Sequence, residues 1–144
     1  MKLVLDTNVV MDLLHFADAA VHPIAAAIAA GAVRCCADAL TLEELTRVVT
    51  YPEFGLDAAA GGTLLARYRA MIDEEPLADG PPPSLPRCRD PDDQKFLELA
   101  ARAGADCLIT KDKALLRLKR KQGLNFRILT PTEAGAQLVS STLR

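Results

Sequence analysis

The sequence has little of what metal sites built on sulfur and nitrogen need. It contains no tryptophan, two histidines and four cysteines, none of them paired as CxxC. Zinc sites usually require such clusters, so we expect the cysteines, including the adjacent Cys35 and Cys36, to be reduced thiols in the core or at the surface. His15 and His22 lie seven residues apart without a cysteine partner. They are expected to be surface or boundary residues rather than ligands.

Long apolar runs are also absent. No uninterrupted stretch approaches the ~20 residues that a helix needs to span a bilayer, and the apolar run after Lys2 is too short for a signal peptide. We therefore expect a cytoplasmic protein without a membrane partner. A length of 144 residues is enough to bury a core of ordinary size, which predicts a single domain over residues 1–144.

The net charge of −2 conceals an uneven distribution along the chain. Residues 1–86 carry 12 acidic and 5 basic side chains, whereas residues 87–144 carry 7 acidic and 12 basic ones. A local basic patch can attract a polyanion even on a slightly acidic protein, although a solvated helix face explains the same pattern. The candidate nucleic-acid-binding residues are Lys111, Lys113, Arg117, Lys119, Arg120 and Lys121.

Short apolar runs alternate with helical patterns along most of the chain. This alternation predicts an α/β fold with a parallel sheet covered by helices on both faces. Strands are predicted at residues 2–5, 33–36, 107–110 and 126–129. Helices are predicted at residues 8–16, 24–30, 41–51, 57–72, 90–103 and 113–121, and after a capping signal at residues 130–133. Residues 74–89 contain five prolines, which predicts an extended surface loop stiffened by polyproline.

Four acidic residues occupy the ends of strands or the starts and interior of helices. Asp6 and Asp112 follow predicted strands, Asp93 begins a helix, and Glu44 lies within one. Ligands of α/β domains gather at the carboxyl ends of parallel strands. Carboxylates brought together there repel one another and are tolerated mainly when a cation neutralises them. Oxygen ligands without supporting Cys or His favour Mg²⁺ or Mn²⁺.

Helical periodicity separates Glu44 from its neighbour Glu43. Glu43 precedes Arg47 by four residues, which predicts an exposed ion pair. Glu44 instead shares its stripe with apolar residues, and a carboxylate on a buried stripe is costly unless something pairs with it. The apolar residues of that stripe are Leu40, Val48 and Tyr51.

The same reasoning separates three aspartates before residue 94. Asp90 precedes Pro91 and is the natural helix cap. Asp93 begins the apolar stripe of the following helix and is expected to point toward the sheet, whereas Asp92 is expected at the rim. Helix capping remains the alternative explanation for each aspartate at a helix start, since Asp is favoured there.

The order and spacing of these segments resemble the PIN-domain nucleases over almost the whole chain. In length the chain fits the single-domain bacterial branch, often described as toxins of toxin–antitoxin pairs. The matching segments are Leu5-Asp6-Thr7-Asn8, Glu44-Leu45, Asp90-Pro91-Asp92-Asp93 leading into residues 96–100, and residues 105–112.

The resemblance implies a Rossmann-like three-layer α/β/α sandwich with a parallel sheet of about five strands. It also implies Mg²⁺- or Mn²⁺-dependent cleavage of single-stranded RNA, with an antitoxin protein as a possible partner. A homodimer is expected as well. The residues that match the family's four acids are Asp6, Glu44, Asp93 and Asp112, and those that match its supporting polar positions are Asn8 and Thr110. Many relatives carry a further Asp where this chain has Ala114, which leaves a second metal site open.

Two other functions fit parts of the pattern. Haloacid-dehalogenase-like phosphatases, which form an aspartyl-phosphate, want a second Asp two residues after the nucleophile, where this chain has Asn8. A non-catalytic PIN-like module could hold a cation or RNA in the same acidic pocket without turnover. Retention of all four acids favours the nuclease.

Overall fold

Five parallel strands form one sheet in the computed structural model, which describes residues 1–80 and 84–142. Their order across the sheet is β3-β2-β1-β4-β5. The strands β2 and β3 therefore extend the sheet on one side of β1, and β4 and β5 extend it on the other side. The point where the order reverses lies between β1 and β4, where α/β sheets open a crevice for ligands. The strands are β1 (Lys2–Leu5), β2 (Arg34–Ala37), β3 (Ile72–Glu74), β4 (Cys107–Ile109) and β5 (Arg127–Leu129).

Helices cover both faces of this sheet. Side chains alternate along β1, so that Leu3 and Leu5 pack on one face and Val4 on the other. The first face is covered by α1, α2, α3, α4 and α7, and the second by α5 and α6. The predicted three-layer α/β/α architecture is therefore confirmed. The helices are α1 (Thr7–Met11), α2 (His22–Ala29), α3 (Ala39–Val48), α4 (Ala58–Met71), α5 (Gln94–Ala103), α6 (Lys113–Leu116) and α7 (Pro131–Thr142).

The strand β3 was not predicted from the sequence. Its residues are mostly charged, and none of its side chains is fully buried, because it lies at the edge of the sheet. Backbone pairing with β2 forms it, and the guanidinium of Arg34 binds the carboxylate of Asp73 across the pair. An edge strand needs no apolar run, which explains why hydrophobicity did not reveal it. The triple proline at residues 81–83 lies outside the described residues.

The prediction of a basic helix over residues 113–121 is wrong beyond its first turn. The helix α6 ends at Leu116, and tighter turns follow, with hydrogen bonds from Leu118 N to Leu115 O (3.0 Å) and from Lys121 N to Leu118 O (3.0 Å). Leu115 and Leu118 are both buried in the core. Residues three apart align on one side in such turns better than in an α-helix, so core packing explains the change.

Smaller differences concern helix ends. The helix α3 begins at Ala39, two residues before the predicted start at Thr41. Asp38 caps it through reciprocal hydrogen bonds with Thr41. The helix predicted over 8–16 is α1 followed by a wider π-type segment, Asp12–Phe16, that ends at Ala17 with φ 49°. All four cysteines are free and buried.

No single helix in the described ranges is long and apolar enough to cross a membrane. The segments Thr7–Phe16 and Ala19–Ala29 reach that length and composition only together, with a bend of 107° between them.

Candidate functional site

Backbone pairing at the switch point brings Asp6 next to Thr110. The N–H of Asp6 donates to Ile109 O (2.9 Å), which extends the β1–β4 ladder by one residue. The fully buried hydroxyl of Thr110 then donates to Asp6 Oδ2 (2.7 Å). The same Thr110 oxygen accepts the N–H of Asp112 (2.9 Å). Thr110 thus links two of the predicted acids.

Asp6 lies at the start of α1, but its side chain does not cap that helix. Only 5% of the residue is exposed. Burial raises the pKa of Asp6 to about 6, the Thr110 hydrogen bond opposes this rise, and the negative charges of Glu44 and Asp112 add to it. The capping alternative therefore does not account for the Asp6 carboxylate.

The carboxyl groups of Asp93 and Asp112 lie close enough to affect each other's protonation. Burial raises the pKa of Asp93 to about 8, and the hydrogen bond and charge of Asp112 contribute next to that rise. Two carboxylates can share such a bond only when one of them carries a proton. Asp93 Oδ2 is buried, and no residue of the described ranges donates a hydrogen bond to it. A proton on this carboxyl or a bound cation would remove the cost of burying the oxygen without a partner.

The capping alternative does apply to one oxygen of Asp112. Asp112 Oδ1 accepts the N–H of Ala114 (2.7 Å) at the start of α6. Asp93, by contrast, makes no side-chain cap on α5, and the nearby Asp90 caps the preceding turn by accepting the N–H of Asp92 (3.0 Å). Asp92 is exposed, as predicted.

Glu44 is half-buried and held by two side chains. The hydroxyl of Thr7 donates to Glu44 Oε2, and Lys95 Nζ lies 2.7 Å from Glu44 Oε1. Glu43 is exposed and pairs with Arg47 (3.2 Å), so the predicted distinction between the two glutamates is confirmed.

The reason given for that distinction needs correction. Leu40 and Tyr51, two residues of the supposed buried stripe, are each 43% exposed. The buried stripe of α3 instead consists of Leu42, Leu45 and the following Val49. Glu44 therefore lies at the edge of the packed side, where it reaches α1 and α5.

Three residues around the acids were missed by sequence reasoning. Thr7 and Lys95 bind Glu44, and the buried Asp12 pairs with Lys111 (2.5 Å). A signal for Lys95 existed, because it shares a stripe with the fully buried Leu99. Asn8, expected to support the site, is exposed on α1.

The residues fit a hard cation without forming a closed cage for it. In residues 1–80 and 84–142, no three His, Cys, Asp or Glu side chains are already grouped as metal ligands. The charges of Glu44 and Asp112 nevertheless act on Asp6, and those of Asp6 and Asp112 on Asp93. An oxygen-only donor set with one unpaired buried oxygen suits Mg²⁺ or Mn²⁺.

The basic segment differs from its prediction in how many cations are available. Lys111 pairs with Asp12, and Lys119 pairs with Glu133 (2.5 Å). The exposed cations of this segment that have no ion pair in the described part of the chain are Lys113, Arg117, Arg120 and Lys121.

Comparison with known proteins gives one family and one similar fold. A family model described as the PIN domain matches residues 2–114. No curated protein matches the chain. Among solved structures, the crystal structure of VapBC2 from Rickettsia felis bound to a DNA fragment from their promoter is similar, with a TM-score of 0.61 and 13% sequence identity. The match covers 90% of this chain and 98% of that chain. At this identity the likeness concerns the fold.

Proposed function

The chain belongs to the PIN-domain family, and from that premise we propose that it is a metal-dependent ribonuclease that hydrolyses phosphodiester bonds of single-stranded RNA. The observation that carries the proposal is the mutual electrostatic effect of acids from four separate segments at the switch point of the sheet. Two of them, Asp6 and Asp93, are buried aspartates whose side chains cap no helix. Metal binding would explain why these two carboxylates are buried at this place, whereas helix capping does not.

Asp6, Glu44, Asp93 and Asp112 would hold Mg²⁺ or Mn²⁺, directly or through water. When bound, such an ion lowers the pKa of a coordinated water and offsets charge on the phosphoryl oxygens. Asp93 Oδ2, which accepts no hydrogen bond from the described residues, is the oxygen that gains most from a cation.

The chain's own residues orient these acids. Thr110 fixes one Asp6 oxygen through its hydroxyl, and the helix start of α6 fixes one Asp112 oxygen, so each aspartate keeps the other oxygen for the ion. Because the pKa of Asp93 is raised to about 8, the metal-free site at neutral pH retains a proton on this carboxyl that must leave when a cation binds there. We assign no separate general base.

RNA would be held through its phosphates by the exposed cations on and after α6. Arg117 and Lys121 are exposed, and the exposed Lys113 directly follows Asp112 in the chain. Cations of this kind bind the backbone without reading sequence.

As for biological role, we propose the toxin component of a toxin–antitoxin pair, acting in the cytoplasm with an antitoxin protein and as a homodimer. Support comes from the single-domain length and from the likeness in fold to VapBC2, which was crystallised as a complex on promoter DNA.

The test is cleavage of a fluorescent single-stranded RNA with Mn²⁺ or Mg²⁺ and with EDTA. Asp6→Asn is the site variant, and Asp57→Asn is its matched control because Asp57 is an exposed cap of α4 and Asn also caps well. We expect metal-dependent cleavage by the wild type and by Asp57→Asn, and none by Asp6→Asn. Cleavage that persists in EDTA, or that is equal in all three proteins, contradicts the proposal. Trapping by beryllofluoride would favour an aspartyl-phosphate enzyme instead.

A further inference from the structure

Lys95 is a confined cation that is paired with one of the four acids. Its side chain is only 16% exposed, as is that of Glu44. The ammonium lies 2.7 Å from Glu44 Oε1, donates to the backbone carbonyl of Asp92 (2.7 Å), and lies 5.5 Å from the ring centre of Phe96. Three partners, from α3, from the turn before α5 and from α5 itself, thus hold one charge in place.

This confinement differs from the ion pairs on the surface. Arg47 and Glu43, also on α3 but on its solvent-facing side, form a pair whose side chains are more than half exposed. Such an exposed pair contributes little, because water and salt screen it. The Lys95–Glu44 pair is largely shielded from water, so its two charges act more strongly on each other.

Both oxygens of the Glu44 carboxylate already have a side-chain partner. Thr7 donates to Oε2, and Lys95 takes Oε1.

We propose that Lys95 is a positioning residue that acts as an internal counter-ion, holding Glu44 in the metal-free protein and competing with the divalent cation for its carboxylate. The inference rests on the proposed metal site. A competing cation lowers the affinity for the metal and, in exchange, stabilises the metal-free fold against repulsion among the acids. Removing the charge of Lys95 therefore strengthens metal binding and weakens the metal-free protein.

The experiment compares wild type, Lys95→Met and Lys95→Arg by calorimetric Mn²⁺ titration and by melting in EDTA. For Lys95→Met we expect a Mn²⁺ dissociation constant about tenfold lower than that of wild type, a lower melting temperature in EDTA, and a larger rise when Mn²⁺ is added. Lys95→Arg keeps the charge, so it should stay close to wild type. Arg47→Met, which removes the exposed pair on the same helix, should change none of these readings.

A further variant tests whether the effect passes through Glu44. In Glu44→Gln, adding Lys95→Met should no longer tighten Mn²⁺ binding, because the carboxylate for which the two cations compete is gone. Lys95→Gln provides the same readings if Lys95→Met fails to fold.

The outcomes separate this inference from the proposed function. If wild type binds Mn²⁺ and Lys95→Met and Lys95→Gln bind it equally or more weakly, Lys95 is no competitor and the inference is overturned while the metal site stands. If neither wild type nor any variant responds to Mn²⁺, the proposed function is overturned together with the inference.

Discussion

The Thr110 hydroxyl donates to Asp6 Oδ2 at 2.7 Å and accepts the N–H of Asp112 at 2.9 Å, so one buried oxygen atom connects two acids from neighbouring strand ends. Its position follows from the parallel pairing of β1 and β4, which aligns Leu5 with Ile109 and the residues after them. The hydroxyl favours the ionised form of Asp6 against the effect of burial.

Thr110→Val should therefore weaken both the fold and the site. The substitution keeps the shape but leaves Asp112 N–H without its acceptor and Asp6 without its donor. We expect a loss of about 1–3 kcal/mol in the free energy of unfolding. Relative to wild type, Mn²⁺ binding should weaken more at pH 6 than at pH 8, because the pKa of Asp6 rises further when its donor is removed. Urea unfolding and Mn²⁺ titration at both pH values measure this. Thr46→Val, which removes a surface hydroxyl bonded to Leu42 O, is the control and should have little effect on either.

The metal-free protein should lose stability as the pH rises. The pKa values of Asp6 and Asp93 are raised in the folded state to about 6 and about 8, from an ordinary value near 3.8. The folded state then binds more protons than the unfolded state across that range, so this contribution to stability is fully present below pH 3.8 and is lost as the pH passes 6 and 8.

Melting in EDTA between pH 5 and 9 tests that sign. The melting temperature of wild type should fall across this interval, and Asp93→Asn should flatten the fall, since Asn needs no proton. A wild-type curve that is level or rising over the same interval would mean that Asp93 is not held in its protonated form.

The two adjacent glutamates should differ sharply in their importance for cleavage. Glu43→Gln removes one partner of an exposed ion pair and should leave the rate within about twofold of wild type. Glu44→Gln removes a proposed ligand and the counter-charge of Lys95, and should abolish cleavage. Single-turnover cleavage of the same RNA measures both. Equal losses in the two variants would show that Glu44 has no special role.

Much of this fold could be predicted because its strands are buried apolar runs and its helices carry clear end signals. Asp6, Asp93 and Asp112 could be proposed as site residues from the sequence because they lie at these ends. The contacts of Glu44 could not be predicted, because Thr7 and Lys95 belong to elements distant in sequence. Only the packing of α1, α3 and α5 determines that these side chains contact Glu44. The edge strand β3 and the early end of α6 likewise depend on tertiary pairing and on where Leu118 must pack.

The surface after α6 should govern the salt dependence of RNA binding. Arg117 and Lys121 are exposed, whereas Lys119 is already paired with Glu133. The double substitution Arg117→Ala and Lys121→Ala should weaken binding to all sequences alike and reduce the slope of log K against log salt by roughly 0.7 for each lost phosphate contact. Lys119→Ala should change this slope less, because Lys119 is already paired with Glu133. Fluorescence anisotropy with the inactive Asp6→Asn protein measures these slopes, and an unchanged slope in the double variant would mark the patch as a solvated surface.

The decisive comparison between a metal site and a set of helix caps is Asp6→Asn against Asp112→Ala. The Asp6 side chain caps no helix, and its charge is disfavoured by burial and by the charges of Glu44 and Asp112. Neutralising it should leave the metal-free protein as stable as wild type at pH 8, or more stable. Asp112→Ala removes the cap of α6, which should lower the free energy of unfolding by about 1 kcal/mol. Any relief of repulsion among the acids would offset part of that loss. Millimolar Mn²⁺ should raise the melting temperature of wild type by mass action and do much less for either variant. If Asp6→Asn melts lower without metal, and Mn²⁺ shifts it as much as wild type, the four acids do not form the proposed site.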